Sequence, residues 1–205
     1  GGKKGQGGVG LVVCKSISRA EVRSTELISD KLLKVTLGLC GRARTVTFIV
    51  GYSPTDIKAI GKNNTFWRAL DRVVKEVPEH KQLFVLMDPN ARTGRKGGGR
   101  LGNDFGVRDI NRYTLNDNGK RLVSFSANDG LARVSTFFST AKNATSHTFN
   151  GRAEKRADYI LTRQRDRKLA RDVTVHPQPP FLPILDHNIV TALVKRLGRF
   201  ARSQP

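Results

Sequence analysis

The stretch that most constrains this chain is QLFVLMDPNARTG, residues 82–94. Leu83 to Met87 is an unbroken apolar run, too short for a helix of ordinary length and suited to a strand buried on both faces. The run delivers Asp88 and Asn90, separated by Pro89, at its C-terminal end, and a strand does not readily continue through a proline. The carboxylate and the amide are therefore expected at the lip of a sheet, where α/β proteins place ligands. Two readings stay open on this stretch: side chains aimed at a ligand, or an Asx turn that closes the strand.

The remaining elements follow from periodicity and breakers. Strands are expected over residues 10–17, 32–39 and 43–52, the last two forming a hairpin through Cys40-Gly41-Arg42. Tyr52-Ser53-Pro54-Thr55 then places polar groups at a second strand end. Residues 64–77 read as a helix with Phe66, Trp67, Leu70, Val73, Val74 and Val77 on one face, Asn64 or Thr65 as cap and Pro78 as stop. That face assigns Phe66 and Trp67 to the core rather than to a base-stacking platform. A second helix is expected over 117–128, with Leu122 and Phe125 inward and Gly130 near its end. Further strands are expected over 131–138, 146–149, 156–162, 173–175 and 189–194. Asp158 falls within one of these runs and needs a partner there, because an unpaired buried charge is costly. Residues 163–171 read as a basic, solvated face. The order of elements argues for mixed α/β layers in a single domain over residues 1–205, with 1–9 flexible and 195–205 a basic tail.

A formal net charge of +20 on 205 residues points to a polyanionic partner, nucleic acid ahead of an acidic membrane. Around Gly97-Gly98-Gly99, the cations Arg92, Arg95, Lys96 and Arg100 suit a phosphate backbone. No apolar stretch approaches the length of a membrane span, and GGKKGQGGVG lacks the apolar core of a signal peptide. Cys14 and Cys40 have neither zinc nor CxxC spacing and read as buried thiols. These features favour a reducing, intracellular setting, nucleus or cytoplasm, over secretion.

The polar groups at strand ends form a set: Tyr52, Asp88 with Asn90, Asp158, and Asp186 with His187. None matches a serine-nucleophile, HExxH or P-loop pattern. Carboxylates, an amide, a histidine and a tyrosine suit metal-assisted attack of water on a phosphoryl centre, and hard oxygen ligands favour Mg²⁺ or Mn²⁺. The ordered series Y-x-P-T, D-x-N-A, S-x-T-F, R-x-D-Y-I-L and D-H-x-x-V resembles the endonuclease/exonuclease/phosphatase superfamily. The resemblance runs from about residue 8 to 194 and lies nearest the endonuclease domains of non-LTR retrotransposons and the craniofacial-development-protein-like sequences. It implies an α/β fold of two packed mixed sheets flanked by helices, the DNase I-like sandwich.

The same resemblance implies roles. Asp88 would activate or orient water and Asn90 would help to fix it. His187, held by Asp158, would stabilise the phosphoryl oxygens. Asp186 would lie beside the metal or the leaving group, Tyr52 would bond the phosphate, and Thr148 would make a secondary phosphate contact. Asp88, Asn90 and Asp186 are the metal-ligand candidates. The implied partner is nucleic acid, DNA ahead of RNA, with a reverse transcriptase domain in a longer parent polypeptide.

Departures from the family pattern qualify this. The strand bearing an Asn and the strand bearing a metal-binding Glu, which normally open the family domain, have no counterpart, so the chain is expected to be N-terminally truncated. Met87, Pro89, Ala157 and Leu185 replace the usual neighbours of the motif residues. Weak or absent nicking of DNA is therefore expected of the chain alone. The alternatives are a non-catalytic nucleic-acid-binding remnant and a phosphatase acting on small phosphorylated substrates, the latter disfavoured by the charge.

Overall fold

A computed structural model describes residues 8–14, 21–38, 45–55, 60–93, 115–138, 145–147, 154–176 and 187–195. In chain order its elements are β1 (Val22–Ser29), β2 (Leu32–Gly38), β3 (Thr45–Tyr52), α1 (Ile60–Glu76), β4 (Gln82–Asp88), α2 (Asp117–Asn128), β5 (Leu131–Arg133), β6 (Ser146–His147), β7 (Glu154–Lys155), β8 (Tyr159–Arg163), β9 (Ala170–His176) and β10 (Ile189–Val194). Short 3₁₀ turns occupy Val134–Phe137 and Gln164–Leu169.

The six-stranded sheet runs β1-β2-β3-β4-β8-β5 and is mixed. β2 and β3 form the expected antiparallel hairpin. β3 and β4 are parallel, with Val46 beside Gln82 and Tyr52 beside Asp88. A parallel pair needs a crossover, and α1 supplies it. The apolar run of β4 is thus enclosed by β3 on one edge and β8 on the other.

Alternation along the strands builds two cores. Ile49, Leu83, Val85, Met87 and Leu161 face α1 and α2, meeting Phe66, Trp67, Leu70, Val73, Leu122 and Phe125. Phe66 and Trp67 are buried, as their helical spacing requires, and pack edge to face. On the opposite face Val35, Val46, Phe84 and Ile160 meet Val173 and Val175 of β9. β9 pairs with β10 in a second, antiparallel sheet, and β6 pairs with β7 in a short ribbon.

The structure corrects several sequence expectations. β1 is unforeseen because VRSTELIS is an edge strand whose side chains are mostly exposed, Leu27 by 71%. Residues 8–14 form no ladder, although Val9, Leu11 and Val13 pack against the second core; Cys14 is exposed rather than buried. Cys40 lies outside the described residues. α1 begins at Ile60, so Asn64 and Thr65 lie within the helix rather than capping it. Strand character stops after Arg133, where the Thr136 hydroxyl donates to the Arg133 carbonyl at 2.7 Å and tightens the backbone into a 3₁₀ turn. Arg163 and Arg165 donate to the carbonyls of Val77 and Glu79, so part of the basic run is a brace beneath the α1–β4 connection. Among the described residues, no helix is long and apolar enough to cross a membrane.

Candidate active site at the strand lip

Tyr52 and Asp88 end adjacent parallel strands in register. They share the parity of Phe48, Val50, Phe84 and Leu86, residues on the sheet face covered by β9 and β10. Both side chains therefore belong to the lip between the two sheets. Pro89 ends the ladder, and the Asn90 N–H turns back to Asp88 Oδ1 at 2.8 Å. That bond is an Asx turn, so the second reading of Asp88 is fulfilled without removing the first. Asn90 has φ 49°, in the left-handed region that asparagine tolerates better than most residues. Its side-chain amide donates to the Ser53 carbonyl at 2.8 Å, and the Ser53 N–H donates to the Asp88 carbonyl at 2.9 Å. The two strand exits are thus tied together.

Asp158 and His187 arrive from the other side. Thr145 Oγ1 accepts the backbone N–H of Ala157 at 2.8 Å and of Asp158 at 3.0 Å. This diverts residues 156–158 from the expected strand, so Asp158 stands just before β8 rather than inside a ladder. The Thr145 carbonyl accepts from the Asn188 N–H at 2.8 Å, and Ser146 bridges to His187. One short segment therefore brings Asp158 and the entrance of β10 together.

His187 Nδ1 lies 2.9 Å from Asp158 Oδ2, and its Nε2 lies 3.7 Å from Asp88 Oδ2. A carboxylate only accepts, so Nδ1–H donates to Asp158, and Nε2 faces Asp88. All three side chains are partly exposed: His187 by 33%, Asp158 by 26% and Asp88 by 13%. The group is accessible to a ligand at the surface, yet each side chain is oriented by a bond.

One ligand atom from each of Asp88, Asp158 and His187 lies within 4.8 Å of the others. Two carboxylates and an imidazole at this spacing can hold a divalent cation. Within the group Asp158 and His187 bond each other at 2.9 Å, and Asp88 Oδ1 accepts the Asn90 N–H at 2.8 Å.

Tyr52 adjoins the group through its register with Asp88, and Lys31 Nζ sits 4.7 Å over its ring. Arg92 is partly buried two residues beyond Asn90. Asp186, Arg95, Lys96, Arg100 and Thr148 lie outside the described residues. Sequence reasoning placed Ser53 among the polar groups at a strand end without giving it a role and missed Thr145 and Asn116; all three hold the site by hydrogen bonds between distant segments. Of the two missed, only Asn116 carried a signal, as an asparagine directly before a helix.

Outside the lip, Asp129 at the far end of α2 is 4% exposed in its side chain. Burial, then the neighbouring Asp71 charge, pushes its carboxyl up to about 6, although Lys75 opposes the shift.

No protein-family model matches the chain. Craniofacial development protein 2 of Bos taurus is 27% identical over 172 residues, 83% of this chain but 28% of that protein. The chain therefore spans less than a third of the length of this relative, and the Tragulus javanicus protein of the same name gives a similar match, at 26% identity. Among solved structures, the 3′-5′ exonuclease NExo from Neisseria meningitidis superposes with TM-score 0.60 at 19% identity, covering 81% of this chain and 65% of the other. An AP endonuclease from Archaeoglobus fulgidus gives 0.58 at 15% identity, covering 80% and 65%. The endonuclease domain of the telomere-specific non-LTR retrotransposon TRAS1 gives 0.57 at 16%, covering 82% and 63%. The chain thus shares the DNase I-like α/β fold of these structures, the fold that its motif series implies.

Proposed function

We propose that this chain carries the phosphodiesterase site of a metal-dependent nuclease acting on nucleic acid, of the retrotransposon-endonuclease type. The observation that carries the reading is the Asp158–His187–Asp88 array at the lip, with its 2.9 Å and 3.7 Å spacings. Neighbours of the same fold are nucleases by name, and the 3′ phosphatase NExo has been solved bound to product DNA hairpin. A basic chain of net charge +20 complements such a polyanion.

In this reading Asp88 Oδ2 orients the attacking water and receives its proton as the water oxygen bonds to phosphorus; the bond from phosphorus to the ester oxygen beside Asp186 breaks, that oxygen leaves with a proton from solvent, and Asn90 keeps the Asp88 carboxylate aimed. His187 Nε2–H donates to a phosphoryl oxygen as negative charge builds in the transition state. Asp158 fixes the imidazole through Nδ1 and offsets the positive charge that the ring carries. Tyr52 and Thr148 bond the phosphate, and Arg92, Arg95, Lys96 and Arg100 hold the flanking backbone. Mg²⁺ or Mn²⁺ held by Asp88, Asn90 and Asp186 would supply Lewis-acid stabilisation of the phosphoryl oxygens.

A second reading, nucleic-acid binding without catalysis, is favoured by one observation. Of the two described carboxylates at the lip, Asp158 is already committed to His187, which leaves few oxygen donors for an ion. Nicking of supercoiled plasmid in Mg²⁺ or Mn²⁺ separates the two. Slow, chelator-sensitive nicking that disappears in Asp88→Ala and His187→Ala supports the first. DNA binding with no nicking at any enzyme concentration supports the second.

A further inference from the structure

The first turn of α2 is joined to both strand exits of the lip. Asn118, fully buried, accepts from Trp67 Nε1 at 3.1 Å and donates to the Pro54 carbonyl just after β3. Asn116 does more at the exit of β4. Its Oδ1 accepts from the Gly119 N–H at 2.8 Å, the ordinary bond of a helix N-cap. The same Oδ1 accepts from the Arg92 N–H at 2.7 Å, and the Asn116 N–H donates to the Arg92 carbonyl at 3.2 Å. Its Nδ2 donates to the Asn90 carbonyl at 2.9 Å. Contact is close enough that a Cβ on Gly119 would stand 2.0 Å from the Arg92 carbonyl oxygen.

Capping alone does not explain this residue. Asn, Asp and Ser cap helices about equally well, because each needs only a side-chain oxygen. The amide donor of Asn116 is spent elsewhere, on the one described non-glycine residue with positive φ. The same Asn90 donates its N–H to Asp88 Oδ1, while Asp88 Oδ2 faces His187 Nε2 at 3.7 Å.

We propose that Asn116 is a positioning residue for the lip: its amide locks Asn90 in the left-handed turn that aims Asp88. This rests on the phosphodiesterase reading for its catalytic consequence but not for its structural one. Asn116 touches no reacting atom and acts through Asn90 and Asp88.

The test uses Asn116→Asp and Asn116→Ser, which keep a capping oxygen and remove the amide donor, with Asn116→Ala as the variant that loses both. Three quantities are read: melting temperature, hydrogen exchange of the Asn90 amide, and kcat against KM for DNA cleavage. For Asp and Ser the expected result is a Tm within about 3 °C of wild type, since the cap survives. Asn90 amide exchange should accelerate by about tenfold, kcat should fall by about tenfold, and KM should stay within about twofold, as loss of one such bond allows. Asn116→Ala should add a larger Tm loss. Unchanged Asn90 exchange in both capping variants would overturn the proposal and reduce Asn116 to a helix cap. Unchanged kcat with accelerated exchange would overturn the catalytic part. A wild-type chain that cleaves nothing would count against the phosphodiesterase reading, while the exchange measurement would still decide whether Asn116 holds the turn.

Discussion

Replacing Asp158 with Asn tests whether the His187 contact is electrostatic or merely steric. The change keeps the side chain's size and an oxygen that can accept from Nδ1–H, but removes the charge 2.9 Å from the ring. At an effective dielectric of about 20, unit charges about 4 Å apart interact by about 4 kcal/mol. Asp158 and His187 are 26% and 33% exposed, so water screens part of that, and about 2–3 kcal/mol remains for the imidazolium of the transition state. At 1.36 kcal/mol per tenfold, the cleavage rate should fall by about 30- to 150-fold. Folded stability should change by less than about 1 kcal/mol, because a neutral hydrogen bond replaces a charged one at a partly exposed position. The assay is single-turnover plasmid nicking with enzyme in excess, beside a thermal melt. A variant within about twofold of wild type in rate, while His187→Ala is inactive, would refute the electrostatic role of Asp158.

Two other predictions concern regions outside the array. The Asp129 carboxyl titrates at about 6 when folded, against an ordinary value of 3.8. A raised folded value means that its contribution favours folding below about pH 4 and is lost as pH rises through about 6. Full linkage would amount to about 3 kcal/mol, but Asp71 across the pair is 40% exposed, and screening reduces this to about 1 kcal/mol. Asp129→Asn should therefore raise Tm by about 2–4 °C at pH 8 and not at pH 4, checked by melts across that range. Neutralising Arg92, Arg95, Lys96 and Arg100 together should weaken DNA binding across sequences and flatten log K against log salt by about 0.9 per lost phosphate contact; an unchanged slope would remove these residues from the interface.

What was legible in the sequence was what burial writes into it. The run Leu83–Met87 announced β4 because strands on both sides exclude polar residues from it. The apolar spacing of α2 gave its limits correctly, since Leu122 and Phe125 must reach the sheet. Edges and side-chain-held backbone were not legible. β1 buries too little to leave a pattern, and residues 156–158 left the strand because the Thr145 hydroxyl took the amides of Ala157 and Asp158. At the lip, residue types named Asp88, Asp158 and His187, but not the means of bringing them together. Thr145 is an unremarkable threonine until its oxygen is seen to accept from Ala157 and Asp158 while its carbonyl holds Asn188.

In the proposed reaction Asp88 and His187 act as one unit across 3.7 Å. A double-mutant cycle on the nicking rate tests this most directly, using Asp88→Ala, His187→Ala and the pair together under single-turnover conditions. Residues serving one transition state are strongly non-additive. The double variant should therefore fall within about threefold of the slower single variant. Losses that multiply across the two positions would contradict a shared site at the strand lip.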